Sequence, residues 1–309
     1  LAPMDWYTDS AYRQVVKTVN KDVMCFTEFY SADWLVHSKF LADAVLPHKD
    51  IEKPLIVQIF WKDPEMFARA AKIIERYNVA WIDINMGCPA KKVVRSWHWS
   101  CLIITPDTAF KIVETLNKAT HLPISVKTRL GWNGSESLIA FWKWLENAWA
   151  SLLTVHWRTT AQAYTWNADF TQIYELKKEL SIPVICNWDI VNIADWMNKL
   201  QNLDWFMIWR HSFWNPWCFV PGWYEPTLRE ILETMSFHAN ALLLSKWEKK
   251  ATLDIRKHLV QYLKWFPWVS AYRKRLVTIE SMEILEWILN EIKTEFASSL
   301  DLKPNEISI

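Results

Sequence analysis

Short apolar runs, many opening beside a proline, alternate with longer amphipathic stretches from Leu1 to about residue 210. The runs are Leu1–Met4, Met24–Phe29, Pro54–Phe60, Trp81–Asn85, Pro123–Thr128, Leu152–Trp157, Pro183–Asn187 and Trp205–Ile208. Apolar segments this short, bounded by turn residues, predict buried β-strands. Between them the period lengthens to that of helices. Pro64–Tyr77 has Asp63 as N-cap and Pro64 at the first helical position, and Asp107–Ala119 follows Pro106. Strand and helix alternating in this way predict parallel βαβ units closed into a (β/α)8 TIM barrel, an α/β fold. After Pro226 the strand pattern stops. Leu228–Phe237, Leu253–Lys264, Tyr272–Val277 and Ser281–Phe296 carry apolar positions three and four apart and predict a small C-terminal all-helical domain. The expected division is a barrel over residues 1–236 and a helical domain over 237–309, with Ser236–Lys250 as linker region and Ala239–Leu244 as a run that also suits a helix.

The length, 309 residues, suits one such barrel plus an appendage. With 35 basic and 34 acidic side chains the net charge is +1, so no bulk field recruits nucleic acid and any such surface must be local. One local excess stands out. Lys246, Lys249, Lys250, Arg256, Lys257, Lys264, Arg273, Lys274 and Arg275 face only Glu248 and Asp254 in that stretch. The five cysteines are scattered, odd in number and without C-x-x-C spacing, against both a disulfide framework and a structural zinc. A reducing cytoplasm is the expected compartment. No apolar run reaches the roughly 18 residues of a membrane span, and no secretory signal opens the chain. Glycine is rare at 4 residues and tryptophan abundant at 23, with indoles in places such as Asn187-Trp188-Asp189 and Ile208-Trp209-Arg210 where a turn favours glycine.

Barrel enzymes build their sites from the carboxyl ends of the strands. Those ends carry Glu28, Gln58, Asn85, Lys127 with Arg129, His156 with Arg158, Asn187 with Asp189, and Arg210. A single strand-end polar residue is more often a helix cap, but a run of such ends describes a site. The segment from Asp83 to Lys92 is the most specific, because Gly87-Cys88-Pro89 just past a strand puts a thiol over the barrel mouth. Cys25, Cys101, Cys186 and Cys218 read instead as buried core thiols.

The segment from Asp83 to Lys92 resembles the catalytic signature of the tRNA-dihydrouridine synthases, FMN enzymes that reduce a uridine in tRNA. Further matches follow in chain order. They are Ala2-Pro3-Met4, Thr27-Glu28, Gln58, Lys127-Thr128-Arg129, Val155-His156-Trp157-Arg158-Thr159, Asn187-Trp188-Asp189, and Trp209-Arg210 with Asn215-Pro216-Trp217. The resemblance covers about Leu1–Trp223 and, more weakly, Arg256–Arg275. It implies Cys88 as the general acid that protonates C5 of uracil while reduced FMN, regenerated by NADPH, delivers hydride to C6. It implies FMN contacts from Ala2, Pro3, Met4, Gln58, Asn85, Lys127, His156, Arg158, Asn187, Asp189, Trp209 and Arg210. Lys127 and His156 would stabilise the N1–O2 edge of the reduced ring. Arg210 would meet the phosphate. It implies tRNA contacts from Glu28, Lys91, Lys92, Arg95 and Arg129, and from Arg256, Lys257, Lys264 and Arg273 in the tail, with one uridine flipped out of its stack. A cytoplasmic monomer without metal, with tRNA as partner, is the expected form.

The chain departs from that family at Trp6, Trp34, Trp61, Trp81, Trp97, Trp99, Trp149, Trp157, Trp166, Trp188, Trp205, Trp209 and Trp214, where the family favours glycine, and at His211, where it favours a small residue. If a dozen of these need glycine-only angles at about 1–3 kcal/mol each, the sum of roughly 12–36 kcal/mol rivals or exceeds the stability of a domain, about 5–15 kcal/mol. The expectation is a chain that does not fold as its relatives do and binds FMN poorly, with Trp188 and Trp209 at the phosphate and Trp97 and Trp99 crowding the substrate loop. Two other functions stay open. One is an FMN barrel acting on a free pyrimidine, as dihydroorotate dehydrogenases do, which the basic tail argues against and a tRNA gel shift distinguishes. The other is a tRNA-binding protein without catalysis, which would bind tRNA and leave no dihydrouridine.

Overall fold

Seven of the apolar runs form parallel strands: β1 (Cys25–Ser31), β2 (Leu55–Phe60), β3 (Trp81–Asn85), β4 (Ile124–Arg129), β5 (Leu152–His156), β6 (Val184–Asn187) and β7 (Trp205–Met207). They are hydrogen-bonded in sequence order, β1 through β7, in one sheet of a computed structural model that describes residues 1–88, 99–134, 138–162, 170–187, 189–213 and 215–306. The eighth expected strand, Leu1–Met4, is not one. Its backbone nonetheless bridges the sheet's two edges: Ala2 N–H donates to Ile208 O at 3.1 Å, and Leu1 O accepts from Phe26 N–H at 3.3 Å. Pro3 has no N–H to continue the ladder, and Met4 N–H turns to Thr8 Oγ1 at 2.9 Å, so the pairing stops after two residues. The ring is thus seven strands and a bridging segment, a TIM-barrel α/β fold.

Helices follow the strands as the periodicity predicts. Asp63 accepts from Glu65 N–H at 3.0 Å and opens Pro64–Ile74, which buries Phe67, Ala70, Ala71 and Ile74. Pro106–Ala119 likewise buries Ala109, Ile112, Val113 and Leu116. With both sheet faces covered, the strands are apolar almost throughout, as parallel strands must be. Their buried polar residues include Gln58, Asp83, Asn85, Ser125, Arg129, Thr154, His156 and Asn187.

Contacts divide the chain into two compact units, one of residues 1–8, 24–190 and 195–210 and one of 9–23, 191–194 and 211–309. The second is helical, built on Ser10–Val19, Leu228–Ser245, Glu248–Tyr262, Ser270–Leu276 and Met282–Glu295. The expected linker at Ser236–Lys250 is corrected: Leu228–Ser245 is one helix that runs through residue 236. His238, Ala239, Ala241 and Leu242 are buried, and a capping box of Thr227 and Glu230 fixes its start, so the helix is anchored along its length. The basic stretch is also less bare than its sequence suggests. Lys246 pairs with Asp9 at 2.6 Å and Asp254 at 2.8 Å, Lys250 with Asp254 at 2.7 Å, and Arg275 with Glu291 at 2.8 Å. Arg256 donates to Ile279 O at 3.0 Å. Two of these partners, Asp9 and Glu291, lie outside the stretch and could not enter a local charge count.

Beneath Lys246, His238 and His258 are buried with ring centroids 4.6 Å apart, and His238 Nδ1 meets the Tyr262 hydroxyl at 3.1 Å. Burial, only partly offset by Asp9, lowers the His238 pKa from 6.5 to about 4, and Lys246 and Lys257 push the same way. His258 is held well below 6.5 by burial, His238 and Lys257. The folded state therefore resists protons that the unfolded chain accepts. Stability should be full above pH 6.5 and fall as pH drops toward 4, by about 3 kcal/mol for His238 alone. Urea midpoints at pH 7.5 and 5 check this, and a His238→Gln variant should show the smaller pH difference.

The tryptophan expectation is corrected in number and upheld at two places. Among the described tryptophans only Trp6 (φ 68°) and Trp149 (φ 69°) hold left-handed backbone angles. Trp34 lies in helix Ala32–His37, Trp81 and Trp205 begin strands, and Trp61, Trp157 and Trp209 have negative φ. Trp97, Trp166, Trp188 and Trp214 lie outside the described residues. Among the described residues the strain falls to two positions, roughly 2–6 kcal/mol, which a domain can carry. Trp149 shows why glycine is favoured there. Its N–H donates to Glu146 O at 2.9 Å and Ala150 N–H to Leu145 O at 3.0 Å, the Schellman pair that closes helix Leu138–Asn147 with its left-handed residue at Trp149. The indole is 61 % exposed, so little packing is lost with it. Trp149→Gly is expected to stabilise the protein by about 1 kcal/mol in urea unfolding. An unchanged or lower midpoint would refute the strain.

Candidate active site

A cavity of about 90 Å³ opens at the carboxyl ends of the strands, lined by Ala2, Pro3, Phe29, Gln58, Asn85, Gly87, Cys88, Lys127, Arg129, His156, Asn187 and Trp209. The strand register makes this ring. Phe29 lies opposite Gln58, Asn85 opposite Lys127, Arg129 opposite His156, and His156 opposite Asn187. Alternate residues of a strand share a face, so Asp83 with Asn85, and Ser125 with Lys127 and Arg129, fall on the same side.

Gly87 and Cys88 are fixed to β4. Met86 N–H donates to Lys127 O at 2.7 Å, Arg129 Nε to Gly87 O at 2.7 Å, and Arg129 Nη1 to Thr159 O at 3.0 Å. A Cβ on Gly87 would stand 3.1 Å from the Thr128 carbonyl carbon and 3.2 Å from its Cα, both backbone, so only glycine lets the loop lie this close. Cys88 is half-buried at the cavity wall, whereas Cys25, Cys186 and Cys218 are buried core thiols.

The electrostatics are those of a low-dielectric site. Burial, with Arg129 beside it, lowers the Lys127 pKa to about 8, against the pull of Asp83 and Cys88, so Lys127 is a cation at neutral pH. Burial raises Asp83 to about 6 despite hydrogen bonds from Ser125 and Gln58, leaving it an anion at neutral pH. His156 is pushed well below 6.5 by burial and by Arg129, Lys127 and Arg158, and is neutral. Arg158 N–H donates to His156 Nδ1 at 3.2 Å, which assigns the ring proton to Nε2. Asn187 Nδ2 donates to Met207 O at 3.0 Å, and its buried Oδ1 has no hydrogen-bond partner among the described residues.

Of the expected cofactor residues, Ala2, Pro3, Gln58, Asn85, Lys127, His156, Asn187 and Trp209 line the cavity with Cys88. Met4 is buried without lining it. Arg158, Asp189 and Arg210 form a neighbouring group: Arg158 stacks 3.8 Å over the Trp157 ring, lies 3.7 Å from Asp189 Oδ2, and feels the charge of Arg210. Arg210 is exposed, its guanidinium 5.7 Å from the Trp209 ring centre. Glu28 accepts from Trp6 N–H at 2.6 Å. Arg129, expected at the tRNA, lines the cavity and holds Gly87. Arg256, Lys257, Lys264 and Arg273 lie in the helical unit, and Lys91, Lys92 and Arg95 fall outside the described residues. Sequence reasoning gave no role to Phe29, Asp83 or Ser125. Asp83 and Ser125 sit inside strand runs, where only a polar residue in an otherwise apolar strand could have flagged them.

The donor set suits an anionic aromatic ring: two cationic side chains, Lys127 and Arg129, one neutral imidazole and side-chain amides around a partly apolar wall. The room is tighter, since ligand sites commonly measure about 300–1,000 Å³. Trp209 is the large side chain in the wall, edge-on to His156 with centroids 6.4 Å apart.

A family model described as "Dihydrouridine synthase (Dus)" matches residues 1–298. A probable tRNA-dihydrouridine synthase 1 from a Synechocystis species is 33 % identical over 299 residues, 91 % of this chain and 82 % of that protein. A tRNA-dihydrouridine synthase B from Pasteurella multocida is 32 % identical over 276 residues, 85 % of this chain and 83 % of its own length. Among solved structures, a 2-naphthoyl-CoA reductase complex aligns over 70 % of this chain with a TM-score of 0.55 at 10 % identity, a likeness of fold. The chain spans 48 % of that structure.

Proposed function

The chain belongs to the dihydrouridine synthase family, and from that premise we propose that it reduces the 5,6 double bond of a uridine in tRNA to dihydrouridine, with Cys88 as general acid. The observation that carries this reading is the half-buried Cys88 thiol on a loop fixed by Gly87, in one cavity with Lys127, Arg129 and His156. In this reading Cys88 Sγ–H gives the proton to C5. Lys127 and His156 line the same space and would stabilise negative charge on a bound ring. FMN fits this donor set, held through Lys127, His156, Asn187 and Asn85, with Arg158 and Arg210 for its phosphate. When bound it supplies the hydride for C6, and NADPH is the reductant in this reading. His156 is buried and Lys127 half-buried, so a ring bound over them would exclude water and strengthen their interaction with it.

The helical unit, with Arg256, Lys257, Lys264 and Arg273, would track the tRNA backbone. The barrel unit would bind FMN and the helical unit, which takes in residues 211–309, the tRNA, in a cytoplasmic monomer. The test is direct. The purified chain, FMN, NADPH and unmodified tRNA transcripts are incubated, and dihydrouridine is mapped by borohydride-dependent reverse-transcription stops. Dihydrouridine at a defined position supports the reading. Binding of tRNA without product would favour the non-catalytic alternative, and turnover of free pyrimidine alone would favour the other.

A further inference from the structure

Four buried side chains join the barrel interior to the Cys88 loop in a single line. Ser125 Oγ donates to Asp83 Oδ1 at 2.5 Å, Gln58 Nε2 to Asp83 Oδ2 at 2.6 Å, Asn85 Nδ2 to Gln58 Oε1 at 2.9 Å, and Gly87 N–H to Asn85 Oδ1 at 3.1 Å. Asp83 and Gln58 are fully buried, Ser125 and Asn85 nearly so. Each amide in this line could in principle present either end to its neighbour. The two termini remove that freedom. A carboxylate can only accept and a backbone N–H can only donate, so both ends demand the same orientation of Gln58 and Asn85.

We propose that Asp83 is a positioning residue: as acceptor for Gln58 it anchors the Gln58–Asn85 relay and thereby holds Gly87 N–H, and with it the Cys88 thiol, in place. Asp83 touches neither Cys88 nor the cavity and acts through the two amides. Removing the acceptor breaks the line. In Asp83→Leu, Gln58 Nε2 and Ser125 Oγ lose their partner, and the Gln58–Asn85 pair is no longer anchored behind Gly87. Asp83→Asn is the conservative case. Its amide oxygen accepts from Gln58 while its NH₂ donates to Ser125 Oγ, since a hydroxyl accepts as well as donates, so the line keeps its native orientation.

The catalytic consequence rests on the proposed role of Cys88, but the relay itself is read by thiol chemistry alone, so its failure is distinguishable from failure of that role. The rate of Cys88 alkylation by iodoacetamide is followed by peptide mass spectrometry in the full chain, with circular dichroism as the control for folding. Asp83→Leu should speed alkylation by about tenfold, the scale of one buried N–H left unpaired. Asp83→Asn should stay within about twofold of the wild type, because it keeps the acceptor for Gln58. Alkylation of Asp83→Leu at the wild-type rate, or of Asp83→Asn as fast as of Asp83→Leu, overturns the proposal. Should Asp83→Leu fail to fold, Asp83→Ala is read by the same criteria, and failure of both also overturns it.

Discussion

Replacing Cys88 with alanine is expected to slow dihydrouridine formation by about 10²- to 10⁴-fold, the usual contribution of a positioned general acid. Binding of tRNA should change little, because the thiol is one half-buried group at the cavity wall. Cys88→Ser should recover little of the loss, since a serine hydroxyl parts with its proton less readily than a thiol. Single-turnover assays with saturating FMN and NADPH separate the chemical step from cofactor binding. A Cys88→Ala enzyme within about threefold of wild type would place the proton elsewhere and leave Cys88 as a packing residue. The same experiment on Gly87→Ala tests placement without touching the thiol. Its Cβ would press on the Thr128 backbone at 3.1 Å, and a shift of about 1 Å in a reacting group can cost roughly 10²-fold.

The strands were legible because parallel strands covered on both faces must be apolar, and the polar residue that ends each run then shows where the cavity lies. Seven of eight runs became strands, and the eighth pairs at both edges until Pro3 interrupts it. Cys88, Lys127, His156, Asn85, Gln58 and Asn187 meet in one cavity as the strand-end reading requires. What sequence could not supply was which atoms pair. The strand-end pattern has Gln58 and Asn85 facing a ligand, yet each also uses both ends of its amide in the line from Asp83 to Gly87. Asp83 and Ser125 stayed hidden because strand alternation makes a residue two before a strand end face the same way, but does not say that a donor and an acceptor meet there. Tryptophan abundance likewise marked positions without their backbone angles. An exposed Trp149 in a helix-closing turn and a Trp205 beginning a strand are alike in composition and differ in φ.

Trp209→Gly is expected to tighten FMN binding by roughly 5- to 150-fold, the factor that corresponds to about 1–3 kcal/mol of steric strain relieved. The indole lines a cavity of about 90 Å³ beside Lys127, His156 and Asn187, the groups that would hold the flavin. It stands edge-on to His156, and Arg210 lies 5.7 Å from its ring centre, so a ring bound there must displace the indole or pack over it. Glycine at residue 209 leaves the donors untouched and returns the indole's volume to the cavity. Trp205→Gly is the control, since that indole begins β7, is 59 % exposed and does not line the cavity. Flavin fluorescence titration reads both variants without any turnover. Equal affinity of wild type and Trp209→Gly would show that the indole swings aside at no cost, and the small cavity would then be a property of the ligand-free site alone. Tighter binding in Trp209→Gly but not in Trp205→Gly would assign weak cofactor affinity to one side chain, which then limits the enzyme through flavin loading rather than through the chemistry at Cys88.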